Sequence, residues 1–375
     1  MAPKASIIVL TWNGRFYLES CLKAVLVQDY PDFEVIVVDN ASTDGSADYV
    51  AELFPQVRLL RNEFNLGFAG GCNVGLRAAQ GDVLVLLNQD TEVQSNWLSN
   101  LMAVFEDPQI GIAGCKTFFP DGTIQHAGGH VYGPRAETEH LAYGAEDIVT
   151  PESVVAVDFV TGAALAITRS VLERIGLLDE GFYPAYYEDV DWCYTAREAG
   201  FRVVYVPAAQ LVHYESPTAQ HESHVHRYSF HQGRLRFVFK HWTSEDLCTL
   251  FVPAEREWVR NLGRSVELMA VRQAHLMAML DVKEIAAFRV RSGGISAHVS
   301  DWMAESFLLL RLLEELRIAC LIDENAKRDS LLEKRYQLFK DVWEQILPQK
   351  PSFVDKLPLI GPRIAALRQL FHALR

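Results

Sequence analysis

Continuous apolar runs alternate with helical periodicity along the N-terminal part of the chain. Residues 6–10, 34–38 and 83–87 are almost entirely apolar, which is typical of strands buried on both faces of a parallel sheet. Residues 57–60 predict a shorter strand. After the first strand, apolar residues recur at helical spacing at Leu18, Cys21, Leu22 and Val25. This alternation predicts right-handed βαβ units and a doubly wound sheet.

The alternation loosens after residue 93. Residues 118–150 are rich in Gly, His and charged residues, and they predict a long loop or a hairpin insertion. Around this segment we predict four strands, at residues 110–115, 154–159, 164–167 and 202–206 (the last closed by Pro207), and two helices, at residues 169–176 and 186–200.

Only helical patterns remain from about residue 245 onward. We therefore predict an α/β domain in residues 1–245, an all-α domain in residues 246–347, and a linker with an amphipathic helix in residues 348–375. Residues 356–375 carry Lys356, Arg363, Arg368 and Arg375 and no acidic residue. Basic residues beside an apolar face predict a contact with a membrane surface. The alternative is a helix that packs on its own domain.

Charge and cysteine content narrow the class of protein. The net charge of −13 over 375 residues argues against a general nucleic-acid-binding surface, so we expect no nucleic-acid partner. The six cysteines stand singly, without the paired spacing of a zinc or disulfide framework, which indicates a reducing compartment. No apolar run reaches the ~18–20 residues of a membrane span. We expect a cytoplasmic protein. Further hypotheses are a peripheral contact with the inner face of the cell membrane and homo-oligomers formed through the helical region.

Acidic side chains follow the predicted strands and open a later helix. Asp39 ends the second strand, Asn88-Gln89-Asp90 ends the fourth, and Glu188-Asp189 begins a helix. Ligands bind at the carboxyl ends of strands in open α/β sheets. A carboxylate with a side-chain oxygen two residues earlier suits a divalent cation that holds phosphates, although a polar turn is the alternative. A dinucleotide fingerprint after the first strand and a P-loop are both absent from the sequence.

Six short motifs occur in one order along the chain. They are residues 6–9 with Trp12-Asn13, residues 37–46, 65–69, 87–91, 161–163 and 188–193. In this combination the sequence resembles the family-2 glycosyltransferases with the GT-A fold, a doubly wound, Rossmann-like mixed sheet, and among them the bacterial rhamnosyltransferase-like members. The resemblance covers residues 4–243. The family's metal motif is often Asp-x-Asp, and Asn88 stands at its first position here, which leaves Asp90 as the firmer ligand.

The resemblance implies an inverting, metal-dependent transferase. It would move a sugar from a UDP or dTDP donor, dTDP-rhamnose among them, to a glycan or lipid-linked acceptor in cell-surface polysaccharide assembly. Asp189 would then be the general base, and Glu188 would hold the acceptor. Asp90, with Asn88, would bind Mg²⁺ or Mn²⁺, and His213 would be a third metal ligand.

The same resemblance assigns residues to the nucleotide. Asp39 would accept a hydrogen bond from the N3–H of a pyrimidine, and Asn65 and Asp90 would lie along the donor. Arg77 is equally well explained as a nucleotide contact or as a solvated helix residue. A catalytically silent sugar-nucleotide-binding or scaffold protein remains the alternative function. A sugar nucleotidyltransferase is disfavoured, because the loop after the first strand is not rich in Gly, Arg and Lys.

Overall fold

The structure, a computed structural model, consists of two compact units that meet between Val238 and Phe239. It describes residues 3–147, 150–214, 223–263, 265–292, 306, 308–313 and 316. The predicted linker and basic helix of residues 348–375 lie outside the described residues, as does most of the second half of the predicted all-α domain.

The first unit alternates strands and helices. Its strands are β1 (Ala5–Thr11), β2 (Phe33–Asp39), β3 (Arg58–Arg61), β4 (Val83–Asn88), β5 (Thr91–Val93), β6 (Ile110–Phe118), β7 (Ile124–His126), β8 (Gly129–Tyr132), β9 (Glu137–His140), β10 (Val155–Ala156), β11 (Ala164–Thr168) and β12 (Arg202–His213). Its helices are α1 (Leu18–Leu26), α2 (Ser46–Leu53), α3 (Gly67–Ala78), α4 (Trp97–Ala103), α5 (Arg169–Ile175), α6 (Glu188–Glu198) and most of α7 (His224–His241).

One mixed sheet organises this unit. Its strand order is β10-β12-β6-β11-β4-β1-β2-β3, with β5 paired to β12 and β7 paired to β6. Strands β1 to β4 are mutually parallel where they pair, whereas β11 runs antiparallel between β4 and β6. Because β11 runs in the opposite direction, its first residue, Ala164, pairs with Leu87 near the carboxyl end of β4. The start of β11 therefore lies at the edge where the parallel strands end.

Helices cover the apolar faces of the sheet. Helix α1 contributes Leu18, Leu22 and Val25 to the core, and α4 contributes Trp97 and Leu101. Helix α3 packs against β1 and β2 and is rich in glycine. A Cβ on its Gly75 would lie 2.3 Å from Ile8 Cγ2, so only glycine allows this close approach of helix and strand.

Two predicted boundaries were wrong. The strand predicted to close at Pro207 continues to His213, and its pairing with β6 shifts register between Val206 and Gln210. This irregularity accommodates a proline, which has no N–H to donate to a neighbouring strand. The strand predicted at residues 154–159 is limited to Val155–Ala156. Residues 118–150 contain β7 and the β8–β9 hairpin, in keeping with the predicted hairpin insertion.

The described part of the second unit is helical. It contains the end of α7 (His224–His241), the short α8 (Ser244–Asp246), a π-helical segment Leu247–Phe251, α9 (Val252–Asn261) and α10 (Val266–Ser292). None of the helices within the described residues is both long enough and apolar enough to cross a membrane. The predicted succession of a mixed α/β sheet and an all-α region is confirmed for these residues.

Candidate functional site

The carboxyl ends of β1, β2 and β4 lie side by side. Thr11 pairs with Asp39, and Leu10 pairs with Asn88, so the predicted polar residues share one edge of the sheet. Gln89 joins these ends, since its Oε1 accepts hydrogen bonds from Thr11 Oγ1 at 2.5 Å and from the Trp12 N–H at 2.9 Å. This role of Gln89 was not predicted, because the residues next to Gln89 in the sequence do not indicate which strand it will contact.

Asp90 and His213 form one corner of this edge. The end of β12 pairs antiparallel with β5, and this pairing brings His213 opposite Thr91. His213 Nε2 lies 3.2 Å from Asp90 Oδ1 and 3.4 Å from Asn88 Nδ2. Burial acts to raise the pKa of Asp90, but the hydrogen bond and charge of His213 outweigh it, and the pKa lies below its usual value.

The tautomer of His213 follows from its second nitrogen. Nδ1 donates to Gln125 Oε1 at 2.8 Å, and both side chains are buried. When Nδ1 carries the proton of a neutral imidazole, Nε2 presents its lone pair to Asn88 and Asp90. A proton on Nε2 or a shared cation would satisfy both Nε2 and the Asp90 carboxylate. Among the described residues, no group of three or more His, Cys, Asp or Glu side chains is arranged to hold a metal ion.

Glu188 and Asp189 open α6 beside the same edge. Asp189 Oδ2 accepts a hydrogen bond from the Gly162 N–H, and Oδ1 accepts one from the Val190 N–H, each at 2.8 Å. The next residue after Gly162 is Ala163, whose carbonyl accepts the Asn88 N–H at 2.9 Å. Two consecutive residues of the turn before β11 therefore connect Asp189 to the end of β4.

The two carboxyl groups experience different environments. Burial raises the pKa of Glu188 well above its usual value, and the adjacent charge of Asp189 raises it further. Burial also raises the pKa of Asp189, but the Gly162 and Val190 N–H groups counteract this effect. Glu188 Oε2 is buried and has no hydrogen-bond partner in the described part of the chain. Both pKa values are therefore raised, and the two N–H groups favour ionisation of Asp189 over ionisation of Glu188.

Asp39 lies at the carboxyl end of β2, on the same edge. The residue is buried, and its Oδ2 accepts a hydrogen bond from the Ser42 N–H at 3.2 Å. Its Oδ1 is also buried but has no hydrogen-bond partner within the described ranges. A buried oxygen without a donor costs about 1–3 kcal/mol, so this atom is suited to a donor from a ligand.

Asn65 and Arg77 are placed differently from Asp39. Asn65 Oδ1 accepts from Asn40 Nδ2 at 2.9 Å and from the Gly67 N–H at 2.8 Å, and so holds the loop that begins α3. Arg77 lies in the last turn of α3, about 15 Å along the helix from Gly67. Its side chain is exposed and forms an ion pair with Glu180 at 3.3 Å. The structure thus brings Asn65 to the edge as a loop-holding residue and leaves Arg77 away from it.

Asn40 is a second residue that the sequence analysis missed. Its Nδ2 donates to Asn65 Oδ1 and to the Gly67 carbonyl, and its Oδ1 accepts from Asn62 Nδ2 and from the Leu66 N–H. A single buried amide thereby fixes the loop between β3 and α3 against the end of β2. In the sequence, only the position of Asn40 directly after Asp39 indicated that it could contribute to the site.

Comparison with known proteins gives three kinds of match. Residues 6–175 match the family model described as Glycosyl transferase family 2. The chain is 31% identical over 229 residues to the O-antigen biosynthesis protein RfbC of Myxococcus xanthus, which covers 57% of this chain and 17% of that protein. It is 25% identical over 264 residues to the N-acetylglucosaminyl-diphospho-decaprenol L-rhamnosyltransferase of Mycobacterium tuberculosis, which covers 64% of this chain and 85% of that protein.

The third kind of match is a solved structure, that of GalNAc-T7 with UDP, GalNAc and Mn²⁺. Its TM-score is 0.56 at 18% identity, over 78% of this chain and 54% of that chain. At this identity the likeness concerns the fold alone, and with the family match it confirms the predicted GT-A fold. The chain spans no more than 28% of the length of two curated relatives, of which RfbC is one.

Proposed function

We propose that this chain, whose residues 6–175 match the family-2 glycosyltransferases and whose fold is GT-A, transfers a sugar from a nucleoside-diphosphate donor to a glycan or lipid-linked acceptor with inversion. One observation carries the proposal. Asp189 lies one short turn away from the strand end that bears Asn88 and Asp90. In that turn the Gly162 N–H donates to Asp189, and the Ala163 carbonyl accepts from the Asn88 N–H. A base and a phosphate-binding corner on one edge are what such a transfer requires.

The nucleotide is a pyrimidine in this proposal. The buried, unpartnered Oδ1 of Asp39 supports it, since the N3–H of uracil or thymine is a donor for such an oxygen. UDP and dTDP share this N–H group. The name of the mycobacterial relative supports a rhamnosyl donor and a lipid-linked acceptor. The name of RfbC, an O-antigen biosynthesis protein, supports a role in cell-surface polysaccharide assembly.

The corner residues fit a divalent cation. Asp90 and His213 approach each other at 3.2 Å, and Asn88 can contribute its amide oxygen after rotation of the side chain. Carboxylate, imidazole and amide ligands, completed by phosphate oxygens and water, suit Mn²⁺, whereas Mg²⁺ favours oxygen alone. When bound there, the cation would neutralise the diphosphate leaving group.

The chain's own side chains perform the remaining chemistry. Ionised Asp189 takes the proton of the acceptor hydroxyl, while the Gly162 and Val190 N–H groups hold the carboxylate in place. Protonated Glu188 offers a hydrogen bond to a sugar oxygen from its unpartnered Oε2. Attack from the Asp189 side, opposite the diphosphate, inverts the anomeric carbon.

Asp189→Asn tests this assignment. The amide cannot accept a proton at the acceptor hydroxyl, so transfer falls by about 10²- to 10⁴-fold while UDP or dTDP affinity changes little. Transfer is measured with radiolabelled donor, and affinity by calorimetry. Glu198→Gln, at the exposed end of the same helix, is the matched control and retains activity. Wild-type turnover by Asp189→Asn would falsify the assignment of the base.

The C-terminal region adds a second proposal, a contact with the inner face of the cell membrane. Its support is the basic composition of residues 356–375, which lie outside the described residues. Deletion of residues 350–375 is expected to reduce sedimentation with anionic liposomes and to leave donor hydrolysis unchanged. Equal sedimentation of both proteins excludes this contact. Analytical ultracentrifugation of the full chain tests whether it forms homo-oligomers.

A further inference from the structure

Strand β7 carries two adjacent buried polar residues that serve different parts of the site. Successive side chains of a strand point to opposite faces. Gln125 faces His213 and accepts its Nδ1–H at 2.8 Å. His126 faces the turn before β11 and accepts the Thr161 N–H on its Nε2 at 3.2 Å. Neither residue is expected to touch the substrate. Gln125 contacts the proposed metal ligand His213, and His126 contacts the turn that supports Asp189.

The His126 side is held in one protonation state. Its Nδ1 lies 3.0 Å from His140 Nδ1, and both rings pack against Phe159. Burial and the neighbouring His140 lower the pKa of His126 well below its usual value, so the ring is neutral. A neutral ring that accepts on Nε2 must donate from Nδ1, and His140 is the acceptor.

The consequence reaches Asp189 through two peptide groups. With the Thr161 N–H fixed by His126, the next N–H, that of Gly162, is directed to Asp189 Oδ2 at 2.8 Å. The Cβ that any other residue would bring at position 162 would lie 3.1 Å from the Phe68 ring and 3.6 Å from Asp189 Cβ. The turn therefore lies tightly between His126 and the proposed base.

We propose that Gln125-His126 is a positioning pair for both halves of the site. Gln125 orients His213 so that its Nε2 faces Asp90, and His126 holds the Thr161–Gly162 turn that supports Asp189. This inference rests on the proposed function. Groups that orient a metal-binding histidine through its second nitrogen typically change metal affinity by about 10- to 100-fold when removed.

Variants of Gln125 test the metal-side half. Gln125→Leu removes the acceptor, and Mn²⁺ affinity in the presence of UDP is expected to fall by about 10- to 100-fold, measured from the free Mn²⁺ signal by electron paramagnetic resonance. Gln125→Glu keeps an acceptor at the same reach and is expected to retain affinity. Gln28→Leu is the matched control, because Gln28 is also buried but bonds only to the Ala24 and Gln94 carbonyls and the Leu98 N–H.

Variants of His126 test the base-side half. His126→Phe removes the acceptor for the Thr161 N–H and is expected to lower kcat at saturating donor and Mn²⁺ by at least about 10-fold, with Mn²⁺ affinity unchanged. His126→Gln can place an amide oxygen near the position of Nε2 and is expected to recover part of kcat. Circular dichroism confirms that each variant is folded.

The outcomes separate this inference from the proposed function. Wild-type protein that transfers sugar and binds Mn²⁺, combined with unchanged Mn²⁺ affinity in Gln125→Leu, overturns the positioning role alone. The positioning role is also overturned if Gln125→Leu and Gln28→Leu lower the melting temperature equally and change the Mn²⁺ affinity to the same extent. Wild-type protein without transfer or Mn²⁺ binding overturns the proposed function and this inference together.

Discussion

Replacing Glu188 by Gln removes a buried carboxyl group whose pKa is raised by burial and by Asp189. An unfolded glutamate has a pKa of about 4.3, so the folded protein holds this proton more tightly than the unfolded chain does. The stability that comes from this proton is complete below about pH 4 and is lost as pH rises toward the raised folded pKa. The glutamine variant has no such proton and does not lose this stability.

The expected magnitude follows from proton linkage. Within that pH window the free energy of unfolding of Glu188→Gln, relative to wild type, rises by about 1.4 kcal/mol per pH unit. For a folded domain of this size, the corresponding gain in melting temperature is roughly 3 to 6 °C for each rise of one pH unit.

Scanning calorimetry of both proteins between about pH 5 and pH 8 measures this difference. Glu198→Gln, which removes an exposed carboxyl group from the same helix, is the control and is measured in the same way. A pH-independent difference between Glu188→Gln and wild type would refute the reasoning, because Glu188 would then titrate alike in the folded and unfolded chains. Sugar transfer by Glu188→Gln should persist, because the glutamine N–H group can donate the hydrogen bond that protonated Glu188 offers to the sugar.

Three further predictions concern the same edge. Asp39→Ala removes the unpartnered acceptor and is expected to raise the Kd for UDP by roughly 10- to 100-fold in calorimetry; an unchanged Kd contradicts the pyrimidine site. Gly14→Ala places a Cβ 1.8 Å from Gln89 Oε1, so hydrogen bonds worth about 0.5–1.5 kcal/mol each are lost and the melting temperature falls; no change would show that Gln89 moves freely. Arg77→Ala breaks only an exposed ion pair with Glu180 and should leave the Kd for UDP within experimental error, whereas a 10-fold rise would return Arg77 to the nucleotide site.

The local sequence pattern was sufficient to predict the central strands of the sheet and the acidic residues at their ends. The apolar runs of β1, β2 and β4 were predicted to within one residue of their observed ends, because a strand buried on both faces must be continuously apolar. Asp39 and Asp90 were identified for the same reason, since polar side chains mark where burial stops. These features depend on neighbours in the chain, and the order of residues alone determines them.

The completed site depended on contacts that local pattern does not encode. The antiparallel insertion of β11 places Ala163 beside Asn88, and the register shift in β12 carries the strand past Pro207 to His213. The bond from His213 to Gln125 spans 88 positions of the chain, and the bond from Thr11 to Gln89 spans 78. A buried amide gains its role from whichever group the fold brings within about 3 Å. The sequence therefore determined which residues carry the chemistry, and the tertiary structure decided which residues hold them in position.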